Sequence, residues 1–291
     1  MTQGCLSIRN PKSEIRNRIT VLGLVALLVI LGCGGKQARF ELSPADTQKL
    51  QPILEELQLG YDFTVTLKAE MIVTIEDKGE KEEVREYLWY KRSKDDGELL
   101  HIQAMGVYNE PRVIVVAARK QFLLYLLNEG EAILEPLEDQ VLREIFGMDI
   151  RVSDVRSAIF ANPFLDGKTQ QMSLTHAGAK YVVKRGGDLP GHVEEITIFM
   201  RDGEPQVTDW VVLDANGKVV QRVKFSDYRD VGGVIKRPHK VEIERPQEQT
   251  QVAIKLVNPK LNEEIADERF AFDFLPEDVK FRRLERSDGG F

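Results

Sequence analysis

Apolar and polar residues alternate most regularly in "YDFTVTLKAEMIVTI", at positions 61–75. The residues between the apolar positions are polar, with Ile72 as the exception. A period of two is typical of a β-strand with one buried and one solvated face. At about 3.3 Å per residue this strand would be roughly 50 Å long, which predicts a strongly curved sheet. The inward-facing residues are predicted to be Tyr61, Phe63, Val65, Leu67, Ala69, Met71, Val73 and Ile75.

Eleven further segments have strand-like patterns and are separated by turn residues. They cover residues 82–92, 98–105, 112–118, 121–127, 131–136, 179–185, 192–201, 206–214, 218–228, 235–245 and 250–258. In the segment 192–201, Ile196, Ile198 and Met200 keep one face apolar. The connections within each run of strands contain Gly, Asn and Asp and are too short for parallel crossovers. The pattern therefore predicts antiparallel meanders.

Three segments have apolar residues at helical spacing instead. Residues 43–60 begin with a capping Ser43 or Asp46 and are predicted to end at Gly60. Residues 137–147 carry Ile145 and Phe146 on one side, and residues 153–163 carry Val155 and Ile159. The last two form a helical hairpin inserted between the strands. The whole order fits one continuous curved sheet crossed by helices.

The N-terminal residues have the pattern of an export signal. Four basic residues, Arg9, Lys12, Arg16 and Arg18, precede an apolar run from Ile19 to Gly32. This run is shorter than the roughly 20 residues that a bilayer-spanning helix needs. Residues 1–32 are therefore predicted to be a removable signal peptide.

The residues Ile30, Leu31, Gly32 and Cys33 resemble the lipobox of bacterial lipoproteins. The resemblance implies that Cys33 receives a diacylglyceryl group, with further acylation of its amino group by a fatty acid such as palmitate after cleavage. An ordinary secretory peptide with an incidental cysteine is the alternative. Residues 33–42 would then be a tether and residues 43–291 one domain. Because no aspartate follows Cys33, the resemblance implies the outer membrane, facing the periplasm, in a Gram-negative host.

The composition limits the partners and the chemistry. The chain has a net charge of −7, and removing the signal peptide takes away four basic residues but one acidic residue. An acidic, unpatterned chain argues against nucleic acid as a partner. Cys5 lies in the signal peptide, and Cys33 would carry lipid. No disulfide, cysteine nucleophile or thiolate metal site is therefore predicted.

Three segments resemble the lipoprotein-localisation superfamily, which includes LolA and LolB. They are "EPLEDQVLREIFGMDIRVSDVRSAIFANP" (135–163), "FSDYRDVGGVIKRPHKVEIERP" (225–246) and "LNEEIADERFAFDFLPEDVKF" (261–281). The first resembles the LolB helical hairpin across the barrel mouth, and the others resemble the end of the LolA-like group. The resemblance implies a mainly β fold with few helices, in which a single curved antiparallel sheet forms an incomplete β-barrel closed by helices.

In that family the barrel encloses an apolar cavity for the acyl chains of another lipoprotein. The candidates for cavity or core here are Phe63, Val65, Leu67, Met71, Ile145, Phe146, Ile159, Ile196, Ile198 and Met200. A filled core formed by the same face is the alternative. The resemblance also implies acyl chains or lipoprotein clients and a periplasmic carrier protein as partners, with the membrane reached through the lipid anchor.

The turn "MGVYNEP" (105–111) corresponds to a LolB loop with an exposed apolar side chain. Val107 and Tyr108 are therefore candidates for contact with the client or the membrane. An ordinary hairpin tip is the alternative interpretation.

Residues typical of catalysis or metal binding are not arranged in any recognisable motif. His101, His176, His192 and His239 are scattered without ligand spacing. The adjacent Glu194 and Glu195 would point to opposite faces of a strand. No enzyme activity, metal or cofactor is predicted. Two functions remain: an anchored carrier or receptor for acyl chains, or a structural or interaction lipoprotein with a filled barrel.

Overall fold

The chain builds one large sheet with helices on its inner face. The computed structural model describes residues 40–146, 151–168, 171–233 and 235–283, and only the backbone of Phe146. The α-helices are α1 Pro44–Phe63, α2 Val141–Phe146 and α3 Val152–Phe160. The strands are β1 Thr66–Asp77, β2 Glu80–Ser93, β3 Gly97–Met105, β4 Pro111–Ala118, β5 Gln121–Leu126, β6 Glu131–Pro136, β7 Met172–Ala177, β8 Lys180–Gly186, β9 Val193–Arg201, β10 Glu204–Leu213, β11 Val219–Val231, β12 Ile235–Arg245, β13 Thr250–Leu261 and β14 Lys280–Phe281. Two short 3₁₀ helices cover Pro163–Asp166 and Asp267–Phe270.

The sheet consists of two meanders that meet at one strand pair. Its strand order is β14-β6-β5-β4-β3-β2-β1-β13-β12-β11-β10-β9-β8-β7. All neighbours are antiparallel except β14, which runs parallel to β6. The pairing of β1 with β13 joins the meander β1–β6 to the meander β7–β13. The predicted single curved antiparallel sheet, an incomplete barrel closed by helices, is confirmed.

The helices cover different halves of the inner face. Helix α1 packs Leu50 and Ile53 against the second meander, where Ile196 and Ile198 are fully buried. Helices α2 and α3 lie over the first meander. There Val141 joins a cluster on β4, β5 and β6, while α3 packs against Leu88 of β2 and its neighbours.

The outer face of the first meander is covered by the C-terminal segment 262–283. Ile265 and Phe270 are buried in a cluster with Leu99, Val116 and Leu123. The segment then adds β14 to the edge of the sheet at β6. Strands β3 to β5 are therefore covered on both faces.

The predicted start of the first strand is wrong. Helix α1 continues through Gly60 to Phe63, and Thr64 ends it by donating its N–H to the Tyr61 carbonyl at 3.0 Å. The apolar positions 50, 53, 57 and 61 keep helical spacing, so Tyr61 points inward from a helix and not from a strand. Phe63 and Val65 are 42% and 47% exposed, which contradicts their assignment to cavity or core.

Two strands have no counterpart among the predicted ones. Strand β7 is an edge strand in which apolar and polar residues alternate only weakly, since Ser173, Thr175 and His176 are among its six residues. Strand β14 has two residues, too few to form a sequence pattern. Within the unit that begins at Gln37, the described residues form one compact body with its own core.

Candidate functional site

An apolar cavity of about 340 Å³ lies between α3 and the inner face of the first meander. Its floor is formed by β2 to β5. It is covered by α2, α3 and Leu137, which lies between β6 and α2. The lining residues are Tyr90, Glu98, Leu100, Ile102, Val115, Ala117, Phe122, Leu137, Leu142, Val152, Val155, Arg156, Ile159 and Phe160. Aside from Glu98, Arg156 and the Tyr90 hydroxyl, every lining side chain is a hydrocarbon.

The cavity follows from the side chains on the two surfaces. Val152, Val155 and Ile159 form the stripe that α3 turns toward the sheet, because residues three and four apart share a helix face. The opposing sheet presents short side chains at Val115 and Ala117. Because the side chains on both sides are branched or small, they leave space unfilled between the curved sheet and α3. The cavity falls in the size range of small-molecule sites, about 300–1,000 Å³.

One end of the cavity holds a polar network centred on Glu98. Its Oε1 accepts from the hydroxyls of Tyr61, at 2.7 Å, and Tyr90, at 2.9 Å. Its Oε2 accepts from Nη1 of Arg156 at 3.1 Å. Burial raises the pKa of both tyrosines, so both stay protonated and donate. The network links α1, β2, β3 and α3 around one carboxylate.

The guanidinium of Arg156 has hydrogen-bond partners at both terminal nitrogens but none at Nε. Its Nη2 donates to the Leu165 carbonyl at 3.0 Å, beyond the end of α3. Its Nε–H is shielded from solvent and has no hydrogen-bond partner. The positive charge of the cavity wall is therefore matched by the carboxylate of Glu98.

The C-terminal end of α3 is held from the second meander by Arg237. This side chain is buried, donates to the Ile159 carbonyl at 2.8 Å and lies 4.9 Å from the Phe160 ring. Burial lowers the pKa of Arg237 to about 10, so the group remains charged at neutral pH. A cation at the carbonyl end of a helix is stabilised by the helix dipole. Phe160 also meets Tyr61 and Tyr90 edge-on, both at 4.9 Å.

The carboxyl of Glu86 lies on the inner face beyond the cavity. It stands on β2 opposite Met71 of β1 and Ala104 of β3, on the same face as Leu88 and Tyr90. Burial alone raises the pKa of Glu86 to about 7. Its immediate neighbours are apolar.

The predicted site residues fall into several places. Leu67 and Met71 are buried in the core beside the cavity, and Ile159 lines it. Ile145 packs with the α2 cluster, whereas Ile196 and Ile198 lie in the filled core beneath α1, with Met200 packed against it. Val107 and Tyr108 are 89% and 90% exposed at the turn between β3 and β4. Cys33 and the side chain of Phe146 lie outside the described residues.

Most of the cavity floor was not among the predicted site residues. Leu100, Val115, Ala117 and Phe122 were assigned to strands, but nothing local marks which strands lie beneath a helix. Glu98 and Arg156 are 58 residues apart, so their pairing leaves no local signal. Arg156 could have been noticed as the charged residue beside the apolar stripe of α3.

The histidines are dispersed in space as well as in sequence. His101 is buried under the C-terminal segment, with Nδ1 2.7 Å from the Arg269 carbonyl, while His176 contacts Lys49 at the surface. Within the part of the chain that the structure describes, no group of His, Cys, Asp and Glu could hold a metal ion.

The fold is similar to several solved structures. A DUF1329 family protein from Desulfovibrio piger aligns with a TM-score of 0.58 at 14% identity, over 78% of this chain and 99% of that protein. A domain described as outer membrane lipoprotein-sorting, from Vibrio parahaemolyticus, gives 0.57 at 12% identity, over 77% and 98%. A LolA superfamily protein from Nitrosomonas europaea gives 0.53 at 10% identity, over 77% and 98%. The chain therefore has a LolA/LolB-like fold.

Other comparisons give no further relative. No protein-family model matches the sequence, and no curated protein matches it significantly. Among the described residues, no helix has the length and apolar character needed to cross a bilayer.

Proposed function

We propose that this protein is a lipid-anchored lipoprotein of the cell envelope whose half-barrel binds acyl chains, from lipoproteins or lipids, in the cavity beneath α3. The observation that carries the proposal is the cavity itself, about 340 Å³ with an almost entirely hydrocarbon lining. An apolar cavity of about 150 Å³ holds one benzene molecule, so this one has room for roughly a dozen carbon atoms of a chain. The remainder of a longer chain would extend along the inner face.

The shape of the site supports binding and not catalysis. The polar groups at the cavity, Glu98 and Arg156, are paired with each other, and the tyrosines donate to the same carboxylate. Among the lining residues, none is Ser, Thr, Cys, Lys or His, the residue types that most often act as nucleophiles. Such a lining can hold and release a hydrocarbon without reacting with it.

The anchor at Cys33 and a role in trafficking complete the proposal. Acyl chains on Cys33 would hold the domain at the membrane, since each buried CH₂ contributes about 0.8 kcal/mol and two chains give stable binding. In a Gram-negative host this membrane would be the outer one, with the domain facing the periplasm. The exposed Val107 and Tyr108 suit contact with a client or with the bilayer. The likeness to a lipoprotein-sorting domain supports trafficking of lipoproteins or lipids, with a periplasmic carrier as a partner.

The test is direct detection of a bound chain. The unit from Gln37 onward is expressed without its anchor, bound to a fluorescent fatty-acyl probe and titrated with an acylated peptide. We expect saturable binding and displacement, and native mass spectrometry of gently purified protein should show a bound lipid mass. An empty protein that does not take up the probe would favour a structural or interaction lipoprotein instead.

A further inference from the structure

Glu86 is the unusual feature of the inner face, because it interrupts an otherwise apolar surface next to the cavity. Leu88, its neighbour on the same face of β2, pairs with Ile102, and Ile102 lines the cavity. Glu86 pairs with Ala104, two residues further along β3, which is a distance of roughly 7 Å. A chain that leaves the cavity along the floor in this direction passes the carboxyl.

The residues around Glu86 do not explain its presence as a structural ion pair. Met71 faces it from β1 and Ala104 from β3, and Val84 and Leu88 flank it on β2. In the described residues, no hydrogen bond or ion pair reaches its carboxyl. Partial burial of a carboxyl without a partner is costly, so such residues are rare unless they have a function.

The charges at the cavity favour one kind of ligand head group. The guanidinium of Arg156 is paired with Glu98 and bonded to the Leu165 carbonyl, so it adds no net positive charge. Glu86 then adds a carboxyl that no cation balances. A carboxylate head group that leaves the cavity on the Glu86 side comes next to this carboxyl, and the two groups cannot both stay ionised without repulsion, whereas a neutral ester or amide meets no such repulsion.

We propose that Glu86 makes the cavity select acyl chains joined through a neutral ester or amide, and disfavour free fatty-acid anions. The inference rests on the proposed function, since it names the class of chain that the same cavity takes. Burial supports it, because a carboxyl that holds its proton near neutral pH can donate to an ester carbonyl. An anionic ligand beside Glu86 binds only if one of the two carboxyl groups takes up a proton, and this costs more as the pH rises above the pKa of Glu86, which is about 7.

The experiment compares three probes that share one twelve-carbon chain: dodecanoylglycerol, dodecanoate and dodecylammonium, each below its aggregation concentration. With the unit from Gln37 onward at pH 8, about one unit above the pKa of Glu86, we expect the ester to bind about tenfold more tightly than dodecanoate. Glu86→Gln should tighten dodecanoate about tenfold, weaken dodecylammonium about tenfold and leave the ester within threefold. Glu83→Gln, at an exposed position of the same strand, is the matched control and should change none of the three.

The outcomes separate the inference from the function on which it rests. If the ester and the anion bind the unaltered protein equally, or if Glu86→Gln leaves their ratio unchanged, the role of Glu86 is refuted while acyl binding stands. If none of the probes binds, the proposed function fails and the inference fails with it. Circular dichroism and thermal melting of Glu86→Gln show whether a lost signal comes from misfolding. The ratio of the affinities of two probes for one variant does not depend on the fraction of that variant that is folded.

Discussion

Arg156 of α3 donates to Glu98 of β3 at 3.1 Å across one end of the apolar cavity. The same carboxylate accepts from Tyr61 of α1 and Tyr90 of β2, so four elements depend on one charged group. Hydrogen bonds to an ionised group contribute more than those between neutral groups. The position of α3 over the cavity is therefore sensitive to this carboxylate.

Glu98→Gln should weaken the attachment of α3. The amide keeps one acceptor but removes the charge opposite Arg156, and its NH₂ group faces the remaining donors. We expect a loss of about 1–3 kcal/mol in the free energy of unfolding, measured in urea, together with faster entry of a cavity probe. Glu110→Gln, which removes the exposed partner of Arg112, is the control and should leave both quantities unchanged. Equal effects of the two substitutions would show that the Glu98 network does not hold α3.

A substitution that fills the cavity should abolish probe binding with little loss of stability, whereas one that removes volume from the core should do the reverse. Val115→Phe adds volume to the cavity floor, so we expect probe binding to be lost while the melting temperature changes little. Ile196→Ala removes volume from the fully buried core beneath α1 and should cost about 2–5 kcal/mol. Probe binding by Ile196→Ala should persist as long as the protein is folded. Calorimetry and probe titration on both variants test this, and a large loss of stability in Val115→Phe would mean that no free volume exists there.

His101 should make the protein less stable in mild acid. Its Nδ1–H donates to the Arg269 carbonyl, so Nε2, which is buried without a partner, is the nitrogen that must take up the second proton. Burial, helped by the charge of Arg269, holds the pKa of His101 below its usual value near 6.5. The unfolded chain therefore binds the proton first, and the stabilisation is complete above about pH 6.5 and decreases as the pH falls. We expect the melting temperature of His101→Gln to fall less between pH 7 and pH 5 than that of the unaltered protein.

The contribution of Glu86 to stability should change with pH in the direction opposite to that of His101. Its pKa is raised to about 7 in the fold from about 4.5, so the folded state holds a proton that the unfolded chain has lost between these values. Its contribution to stability is present below about pH 4.5 and is lost as the pH rises through about 7. Since water reaches part of the side chain, we expect on the order of 1–2 kcal/mol. In Glu86→Gln this decline should be absent, and a slope identical to that of the unaltered protein in parallel denaturation curves would refute the burial effect.

Cys33→Ser should release the protein from the membrane. Without the thiol, no diacylglyceryl group can be attached, and no other segment is predicted to hold the chain at a bilayer. Radiolabelled palmitate should be absent from the variant, and fractionation should find it outside the membrane pellet. Cys5→Ser, inside the predicted signal peptide, is the control and should keep both label and location. Label on Cys33→Ser would contradict the anchor.

The sheet could be predicted because its signals are local, whereas the site depends on distant contacts. The alternation from Leu67 to Val73 fixed the inner face of β1, and the turns fixed the antiparallel order. Phe63 was misassigned because helical and alternating spacing coincide for a few residues around Tyr61, and Val65 because it lies between the end of α1 and the start of β1. Glu98, Tyr61 and Arg156 belong to three separate elements, and only the folded chain shows that they share one carboxylate.

The filled and hollow halves of the inner face could not be distinguished from the sequence for a related reason. Both halves present alternating apolar residues, and both are covered by helices with an apolar stripe. The difference lies in side-chain volume at the contact, with Leu50 and Ile53 buried in one half and Val155 and Ala117 lining the cavity in the other. Packing density depends on the distance between the surfaces, which periodicity does not encode.

The junction between the two meanders also constrains how the chain folds. Asn262, just after β13, donates its side-chain amide to the Phe63 carbonyl, just before β1, across 199 residues of chain. The strand pair that unites the sheet therefore cannot form until the chain has been made through β13, and closing so long a loop slows folding. In the meantime the first meander exposes the free edge of β1, which can pair with other chains. A protein with this topology is expected to need protection from aggregation while it is being made, and truncation near β13 should be far more damaging than truncation after Phe281.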